Sequence, residues 1–311
     1  MIVCTVITAA QIPKARIMAE SVKRHLAGST VVVCLVEQSV HPAAQNCTAF
    51  DRVLLAKDLG YDWPPFERLI FKYNAMEAIC AVKGQLLKDL ILRLYRKEDE
   101  FLYLDSEMKV FSPCSELFDA LKEHSIVITP HQLLPSDIRH VIREVELLNE
   151  GTFHGGILGI RRTDDALRFV EWFAERLSRS YEDPYNGRYW DKRFLNLAMA
   201  AFDLHVLKHP GYNVAAWNFH ERMTMSNDGT CHVQGNQLCI FNFAEWESWR
   251  SENDENGDQD LSNEPWSYDY FHSGEKIAQV TRHLYRTNPD DFDQYPDLFA
   301  ESNKRIMQNH G

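Results

Sequence analysis

The chain has 311 residues, of which 45% are hydrophobic and 25% are charged, and its formal net charge is −12. This composition excludes a disordered chain, and the acidic balance argues against nucleic acid as a partner. No apolar run approaches the roughly 18 residues of a membrane-spanning helix, so membrane contact is expected to be peripheral at most. The seven cysteines are scattered without a Cys-x-x-Cys pair, which predicts reduced thiols and a cytoplasmic location.

Short apolar runs alternate with helical patterns through the first half of the chain. The predicted strands cover 2–8, 31–36, 52–55, 101–104 and 126–129. The predicted helices cover 12–26, 66–81, 82–95 and 113–121. The strands are continuously apolar, which is typical of a parallel sheet covered on both faces. The sequence therefore predicts an α/β fold with a mainly parallel central sheet and helices on both faces.

The second half is less regular. Strands are predicted at 155–160, 204–207 and 237–243, and helices at 164–178 and 191–202. An acidic stretch almost free of apolar residues, 251–263, is typical of a mobile loop or linker. The predicted organisation is one α/β domain (1–245), an acidic flexible loop (246–273) and a partly helical C-terminal segment (274–311).

Two carboxylates, Asp105 and Glu107, directly follow the apolar strand 101–104. In an open parallel sheet, ligands bind beyond the carboxyl ends of the strands. Alternate residues of an extended segment point the same way, so both carboxylates could bind one hard cation. The same pattern also suits a turn that leads into a helix, so spacing alone leaves both interpretations open.

The string FLYLDSEMKVFSP (101–113) resembles the Asp-x-Asp region of GT-A fold glycosyltransferases, and the resemblance extends over 1–245. It implies a Rossmann-like GT-A fold and transfer of a hexose from a nucleotide-diphosphate sugar, expected to be UDP-linked. The acceptor would be a glycan, a protein or a lipid-linked sugar. The family's acidic turn holds a divalent metal, here Mn²⁺ or Mg²⁺, although Glu107 replaces the usual second Asp.

Several donor-binding residues follow from the resemblance. Thr8 ends the first strand and Ala9 begins the turn after it, where relatives bind the nucleobase and ribose. Lys83 stands where relatives present a lysine to the donor phosphates, although a solvated helix lysine is the other interpretation. Gly155 and Gly156 belong to an element that lies under the donor sugar, and a bulged strand is the alternative there.

The catalytic residue and a third metal ligand are also implied by the resemblance. Asp191 begins a segment similar to the Asp-Gln-Asp-x-x-Asn helix start of glycogenin-like transferases, where it would orient the donor sugar; an N-cap is the plainer interpretation. Asn242 stands where many relatives carry a metal-binding histidine, so it joins Asp105 and Glu107 in the expected ligand set. The stretch 132–148 is expected to form a flap or acceptor wall.

Two alternative functions remain at this point. A sugar nucleotidyltransferase would carry a glycine-rich basic loop after the first strand, and the segment 8–13 has no glycine. A non-catalytic relative that binds a nucleotide sugar without turnover is compatible with the departures at Glu107 and Asn242. The sequence does not indicate an oligomeric state.

Overall fold

The structure, a computed structural model, describes residues 1–60, 66–67, 73–135, 141–179, 190–222 and 232–244. The predicted acidic loop and C-terminal segment therefore lie outside the described residues. A central sheet of seven strands organises the rest. Its strands in chain order are β1 (Ile2–Ile7), β2 (Thr30–Leu35), β3 (Arg52–Leu55), β4 (Glu100–Leu104), β6 (Ile126–Pro130), β7 (Phe153–Arg161) and β8 (Leu204–Val206), with β5 (Met108–Val110) outside this sheet.

The strand order across the sheet is β3-β2-β1-β4-β7-β6-β8, and β7 alone among these strands runs antiparallel to its neighbours. Every side chain of β1 is buried, as expected for a strand with helices on both of its faces. The predicted α/β fold with a mainly parallel sheet is confirmed, and it is the Rossmann-like arrangement that the resemblance to GT-A transferases implies.

Helices cover both faces of this sheet. They are α1 (Ile12–His25), α2 (Pro42–Gln45), α3 (Ala75–Asp89), α4 (Ser115–Glu123), α5 (Val141–Glu150), α6 (Asp164–Arg179), α7 (Trp190–Ala201) and α8 (Phe219–Arg222). Alternate residues of β1 enter two separate cores, Val3 with α1 and α4, and Cys4 with α3, α6 and α7. This alternation follows from the two-residue period of a strand.

Three short strands complete the described fold. They are β9 (His232–Val233), β10 (Asn236–Gln237) and β11 (Ile240–Asn242). Strand β11 pairs antiparallel with β5, so the residues after the acidic turn are tied to the end of the described chain. Within the described residues, no helix is both long enough and apolar enough to span a bilayer.

The strand predicted at 237–243 is instead two separate strands, β10 and β11, and the predicted break between two helices at 81–82 is wrong. The patterns at 66–81 and 82–95 predict two helices, whereas residues 75–89 form the single helix α3, followed by a π-helical turn at Leu90–Leu94. Asn74 begins α3 through a capping box, because its side chain accepts the Glu77 N–H and the Glu77 carboxylate accepts the Asn74 N–H. Helix α3 then runs unbroken beneath β1 and presents Lys83 toward the sheet.

The stretch 132–148, predicted as a flap or acceptor wall, contains most of α5. At the start of this stretch, ahead of α5, the backbone N–H groups of Leu133 and Leu134 donate to the carboxylate of Glu221, at 2.8 to 3.0 Å. Residues 136–140 lie outside the described part. Whether this stretch moves or contacts an acceptor stays a prediction.

Candidate functional site

The candidate site lies at the carboxyl ends of β1 and β4. These strands are parallel neighbours, and the sheet continues through β2 on one side and β7 on the other, so strand order reverses between them. In α/β sheets, such a reversal opens a crevice where ligands bind. Thr8 follows β1 and Asp105 follows β4, so both predicted residues lie at this crevice.

Lys83 is the centre of the site. Its ammonium group donates to a carboxylate oxygen of Asp191 at 2.6 Å and to the carbonyl oxygen of Gly155 at 2.9 Å. A carboxylate oxygen of Asp105 lies 3.7 Å from the same nitrogen, and the Tyr103 ring centroid lies 4.7 Å from it. Four residues, on α7, on β7, on β4 and in the turn after β4, therefore meet around one buried positive charge.

The electrostatics keep this cluster ionised. Burial alone would lower the pKa of Lys83, but the carboxylates of Asp105 and Asp191 outweigh it and raise that pKa above its ordinary value. Burial alone would raise the pKa of Asp191, but the Lys83 ammonium outweighs it and the pKa falls. Burial, followed by the charge of Asp105, raises the pKa of Tyr103 well above its usual value, so the phenol stays protonated. A buried ammonium between two carboxylates results.

Two glycines let the backbone approach these carboxylates. The pairing of β6 with β7 shifts register between Ile128 and Thr129, opposite the Gly155–Gly156 segment. A Cβ at Gly155 would fall inside van der Waals contact with the Asp191 carboxylate, and one at Gly156 would do the same with Asp105. The Asp105 N–H donates to the carbonyl of Gly156 at 2.9 Å. The irregularity of β7 and the close approach of its backbone to Asp105 and Asp191 therefore occur at the same two glycines.

Thr8 and Ala9 form the rim of the crevice beside β2. The Ala9 N–H donates to a carboxylate oxygen of Glu37 at 2.8 Å, and the Thr8 N–H donates to the Gln11 side chain at 3.1 Å. Glu37 follows β2, so this contact joins the ends of two neighbouring parallel strands. Their role toward a nucleoside stays a prediction.

Two of the three predicted metal ligands, Glu107 and Asn242, are engaged by protein partners. The Glu107 carboxylate accepts from the Lys14 ammonium at 2.8 Å. The Asn242 amide oxygen accepts the Ala244 N–H at 2.8 Å, while its nitrogen lies 3.1 Å from Nε2 of His154. Across the described part of the chain, no group of three or more His, Cys, Asp or Glu side chains is arranged to hold a metal ion. As arranged, these residues do not fit a protein-held Mn²⁺ or Mg²⁺.

A neutral polar cluster lies behind the glycines. His154 is buried, and its Nδ1 accepts the Gly156 N–H at 3.0 Å. Burial, then the charges of Lys192 and Lys83, lowers the pKa of His154 well below its usual value, so the imidazole is neutral. The Trp217 ring stacks on His154 with centroids 5.6 Å apart. This ring pair supports the glycine backbone that approaches Asp105 and Asp191.

The structure brings together Lys83, Asp105, Asp191, Gly155 and Gly156, and it places Thr8 and Ala9 at the neighbouring rim. It directs Glu107 and Asn242 to other partners. Sequence reasoning missed Lys14, Glu37 and His154. Glu37 directly follows an apolar strand, as Asp105 does, and that position was a usable signal. Lys14 gave none, because Glu107 is 93 residues away. His154 accepts from the nearby Gly156, but its contacts with Trp217 and Asn242 are distant in the sequence and gave no signal.

No family model matches the chain. A curated protein of Bacillus subtilis (strain 168), the uncharacterized protein YfnD, is 24% identical over 148 residues. This match covers 46% of the present chain and 46% of YfnD, so it spans less than half of the relative's length. An identity this low, over less than half of either protein, does not establish a family.

Two solved structures illustrate the likeness in fold. The galactosyltransferase LgtC, in complex with donor and acceptor sugar analogs, is 13% identical with a TM-score of 0.48, covering 78% of this chain and 87% of LgtC. The glycosyltransferase GlyE of Streptococcus pneumoniae TIGR4 is 14% identical with a TM-score of 0.49, covering 90% of this chain and 63% of GlyE. Likeness at this level carries no argument about substrate or chemistry. The chain's own sheet, with its order and strand directions, identifies the fold as Rossmann-like α/β.

Proposed function

We propose that this protein is a glycosyltransferase that moves a hexose from a nucleotide-diphosphate sugar, most simply a UDP-sugar, to an acceptor. The observation that supports it is the buried Lys83 ammonium, held between Asp191 and Asp105 at the strand-order reversal. A diphosphate needs positive charge, and the donor sugar needs hydrogen-bonding groups and close backbone approach. The crevice offers all three.

Each residue has a separate part in this proposal. Thr8 and Ala9 bind the nucleoside, and Lys83 faces the diphosphate as a compact point charge. The donor sugar lies over Gly155 and Gly156, where the missing Cβ atoms leave room. Asp191 is the proposed catalytic residue.

These groups would contribute to catalysis by stabilising charge in the transition state. When the glycosidic bond breaks, negative charge grows on the leaving diphosphate and positive charge grows at the anomeric carbon. Lys83 would stabilise the first charge and the Asp191 carboxylate the second. Because Lys83 lies 2.6 Å from Asp191, both groups are fixed in position before the donor arrives. The reaction therefore needs little reorganisation of the site.

The predicted Mn²⁺ or Mg²⁺ supplies no step here, because Glu107 and the Asn242 oxygen have other partners. If a cation accompanies the donor, Asp105 is the predicted carboxylate with solvent access, since its side chain is 34% exposed. The acceptor stays open among a glycan, a protein and a lipid-linked sugar. A cytoplasmic location stays a prediction; the six cysteines in the described residues are free thiols.

Binding and release of nucleotide from a panel of sugar nucleotides, measured with Mn²⁺ and with a chelator, test the proposal. Turnover should fall at least about a hundredfold in Asp191→Asn and Lys83→Met, because each removes a charge that is assigned to the transition state. The matched control is Asp119→Asn, which removes an exposed aspartate that pairs with Lys122 on α4. Failure to bind any sugar nucleotide under either condition would refute the proposal.

A non-catalytic nucleotide-sugar-binding protein is the second candidate, because Glu107 and Asn242 are committed to protein partners. It predicts tight binding of a sugar nucleotide without turnover, across glycan, protein and lipid-linked acceptors and in water. Turnover that is lost in Asp191→Asn would exclude it.

A further inference from the structure

The ion pair between Lys14 and Glu107 joins α1 to the acidic turn. The ammonium nitrogen lies 2.8 Å from a Glu107 carboxylate oxygen, and the two side chains are 13% and 23% exposed. The backbone carbonyl of Glu107 also accepts the Phe243 N–H at 2.9 Å, which anchors the turn from the opposite side. This largely buried pair is screened less by solvent than an exposed one.

The position of Lys14 on its helix is electrostatically unfavourable. It lies in the first turn of α1 (Ile12–His25), where the helix macrodipole is positive, and that turn contains no acidic residue. A cation at this end of a helix is destabilised, whereas an anion is stabilised there. Glu107 offsets the cost from outside the helix. An anionic ligand at the same place would offset it too.

We propose that Lys14 binds the diphosphate of the donor, and that Glu107 positions Lys14 instead of binding a metal ion. Helix α1 begins just after β1 and packs against β5, so Lys14 stands over the turn that follows β4. An ammonium group has three N–H donors, so it can keep one acceptor and turn another donor toward a phosphate oxygen. The inference rests on the proposed function, because it requires a nucleotide diphosphate in this crevice.

Charge supports a second ammonium group here. Lys83 is bound to Asp191 and is also near Asp105, so its single charge is already shared between two carboxylates. A diphosphate would add at least two negative charges beside Asp105. Lys14 provides further positive charge at the acidic turn itself, where Glu107 holds it at rest. Glu107 therefore acts through Lys14 and is a positioning residue.

Calorimetric binding of UDP and of uridine, each measured in a chelator and in Mn²⁺, tests the role of Lys14. UDP should bind Lys14→Met about tenfold or more weakly than the unmodified protein, the size expected for a lost charge-assisted hydrogen bond. Uridine should bind both proteins equally, because it carries no phosphate. Lys14→Arg, which keeps the charge, should recover most of the UDP affinity.

Lys23→Met is the matched control. Lys23 is on the same helix and pairs with Asp51, but it lies about 13 Å further along the helix axis. Its loss should change neither UDP nor uridine binding. If Lys14→Met binds UDP as the unmodified protein does, the inference is wrong while the proposed function stands. If no nucleoside diphosphate or sugar nucleotide binds the unmodified protein, with or without Mn²⁺, both fail.

The role of Glu107 needs a double-mutant cycle. Glu107→Gln should weaken UDP binding several-fold in the unmodified background and have no further effect in Lys14→Met, because it acts only through Lys14. Manganese affinity at saturating UDP, followed by electron paramagnetic resonance, should be the same in the unmodified protein and in Glu107→Gln. A loss of Mn²⁺ affinity in Glu107→Gln, with Lys14 present and with Lys14→Met, would show that Glu107 is a metal ligand and overturn the inference.

Discussion

The ammonium group of Lys83 and the carboxylate of Asp191 lie 2.6 Å apart with side chains only 2% and 4% exposed. A buried ion pair of this kind adds little net stability, because both charges lose their hydration. Removing one partner is different, since it leaves the other charge buried and unpaired. The pair is therefore a constraint on the site: both residues must be present, or both must be replaced.

Lys83→Met should accordingly lower the free energy of unfolding by about 3–5 kcal/mol. The double variant Lys83→Met/Asp191→Asn should recover much of that loss, because no buried charge is left without its partner. Urea denaturation of the two single variants and the double variant measures this coupling. If the losses of unfolding free energy in Lys83→Met and Asp191→Asn simply add up in the double variant, Lys83 and Asp191 are not energetically coupled.

Gly156→Ala should reduce donor binding through Asp105. The added Cβ would fall inside van der Waals contact with the Asp105 carboxylate and 2.5 Å from a ring carbon of His154, so Asp105 has to move. Gly159→Ala on the same strand is the control, because its Cβ would meet the flexible ends of Leu117 and Leu121 at 3.2 and 3.3 Å. We expect sugar-nucleotide affinity to fall about tenfold or more in Gly156→Ala only. Equal losses in both variants would show that the effect is general to the strand.

The sheet could be predicted from sequence because its signal is local. A continuous apolar run such as 101–104 indicates a buried strand without knowledge of any other residue. The helix that carries Lys83 was predicted with a false break at 81–82. The pattern Asn74-x-x-Glu77 is a capping box and could have located the true start of α3.

The contacts of the site could not be predicted in the same way. Lys83 and Asp191 are 108 residues apart, and Lys14 and Glu107 are 93 apart, so each pairing depends on how the whole sheet closes. Periodicity says only that Lys83 lies on a helix, not that its ammonium group is buried. For Glu107, the position after a strand predicted a ligand-binding role, but nothing in the sequence indicated that Lys14 on α1 would pair with it.

Acid should destabilise the fold through His154. Burial lowers the pKa of this imidazole well below its usual value, so the folded protein leaves it neutral where the unfolded chain binds a proton. Stability from this group is complete above about pH 6.5 and is lost as the pH falls below that value, by up to about 1.4 kcal/mol per pH unit. Urea unfolding at about pH 7.5, 6.5 and 5.5, which spans the unperturbed histidine pKa, measures the loss.

His154→Gln supplies the comparison, because it keeps a polar side chain and removes the titration. The variant should be less stable near neutral pH, where the stacking on Trp217 and the Gly156 hydrogen bond are lost. Its stability should nevertheless fall less steeply below about pH 6.5, where the unfolded histidine gains its proton. Parallel pH profiles for the two proteins would mean that His154 is protonated in the folded state.

Asn213 should stabilise the fold in two ways, through its positive backbone φ and through the hydrogen bonds of its side-chain amide. Its φ is +52°, a left-handed conformation that asparagine tolerates better than most residues. Its side chain donates to the Pro130 carbonyl and accepts from Asn242, both at 3.3 Å. Asn213→Ala should therefore cost about 2–3 kcal/mol in urea unfolding, combining backbone strain with lost hydrogen bonds.

Asn213→Gly separates the two contributions, because glycine adopts a positive φ without strain. It should be about 1 kcal/mol more stable than the alanine variant, yet below the unmodified protein. Since Asn213 and His154 both contact Asn242, the glycine variant should also loosen the support behind Gly156 and weaken sugar-nucleotide binding. An unchanged affinity in that variant would mean that His154 and Trp217 hold the Gly155–Gly156 backbone without help from the asparagine cluster.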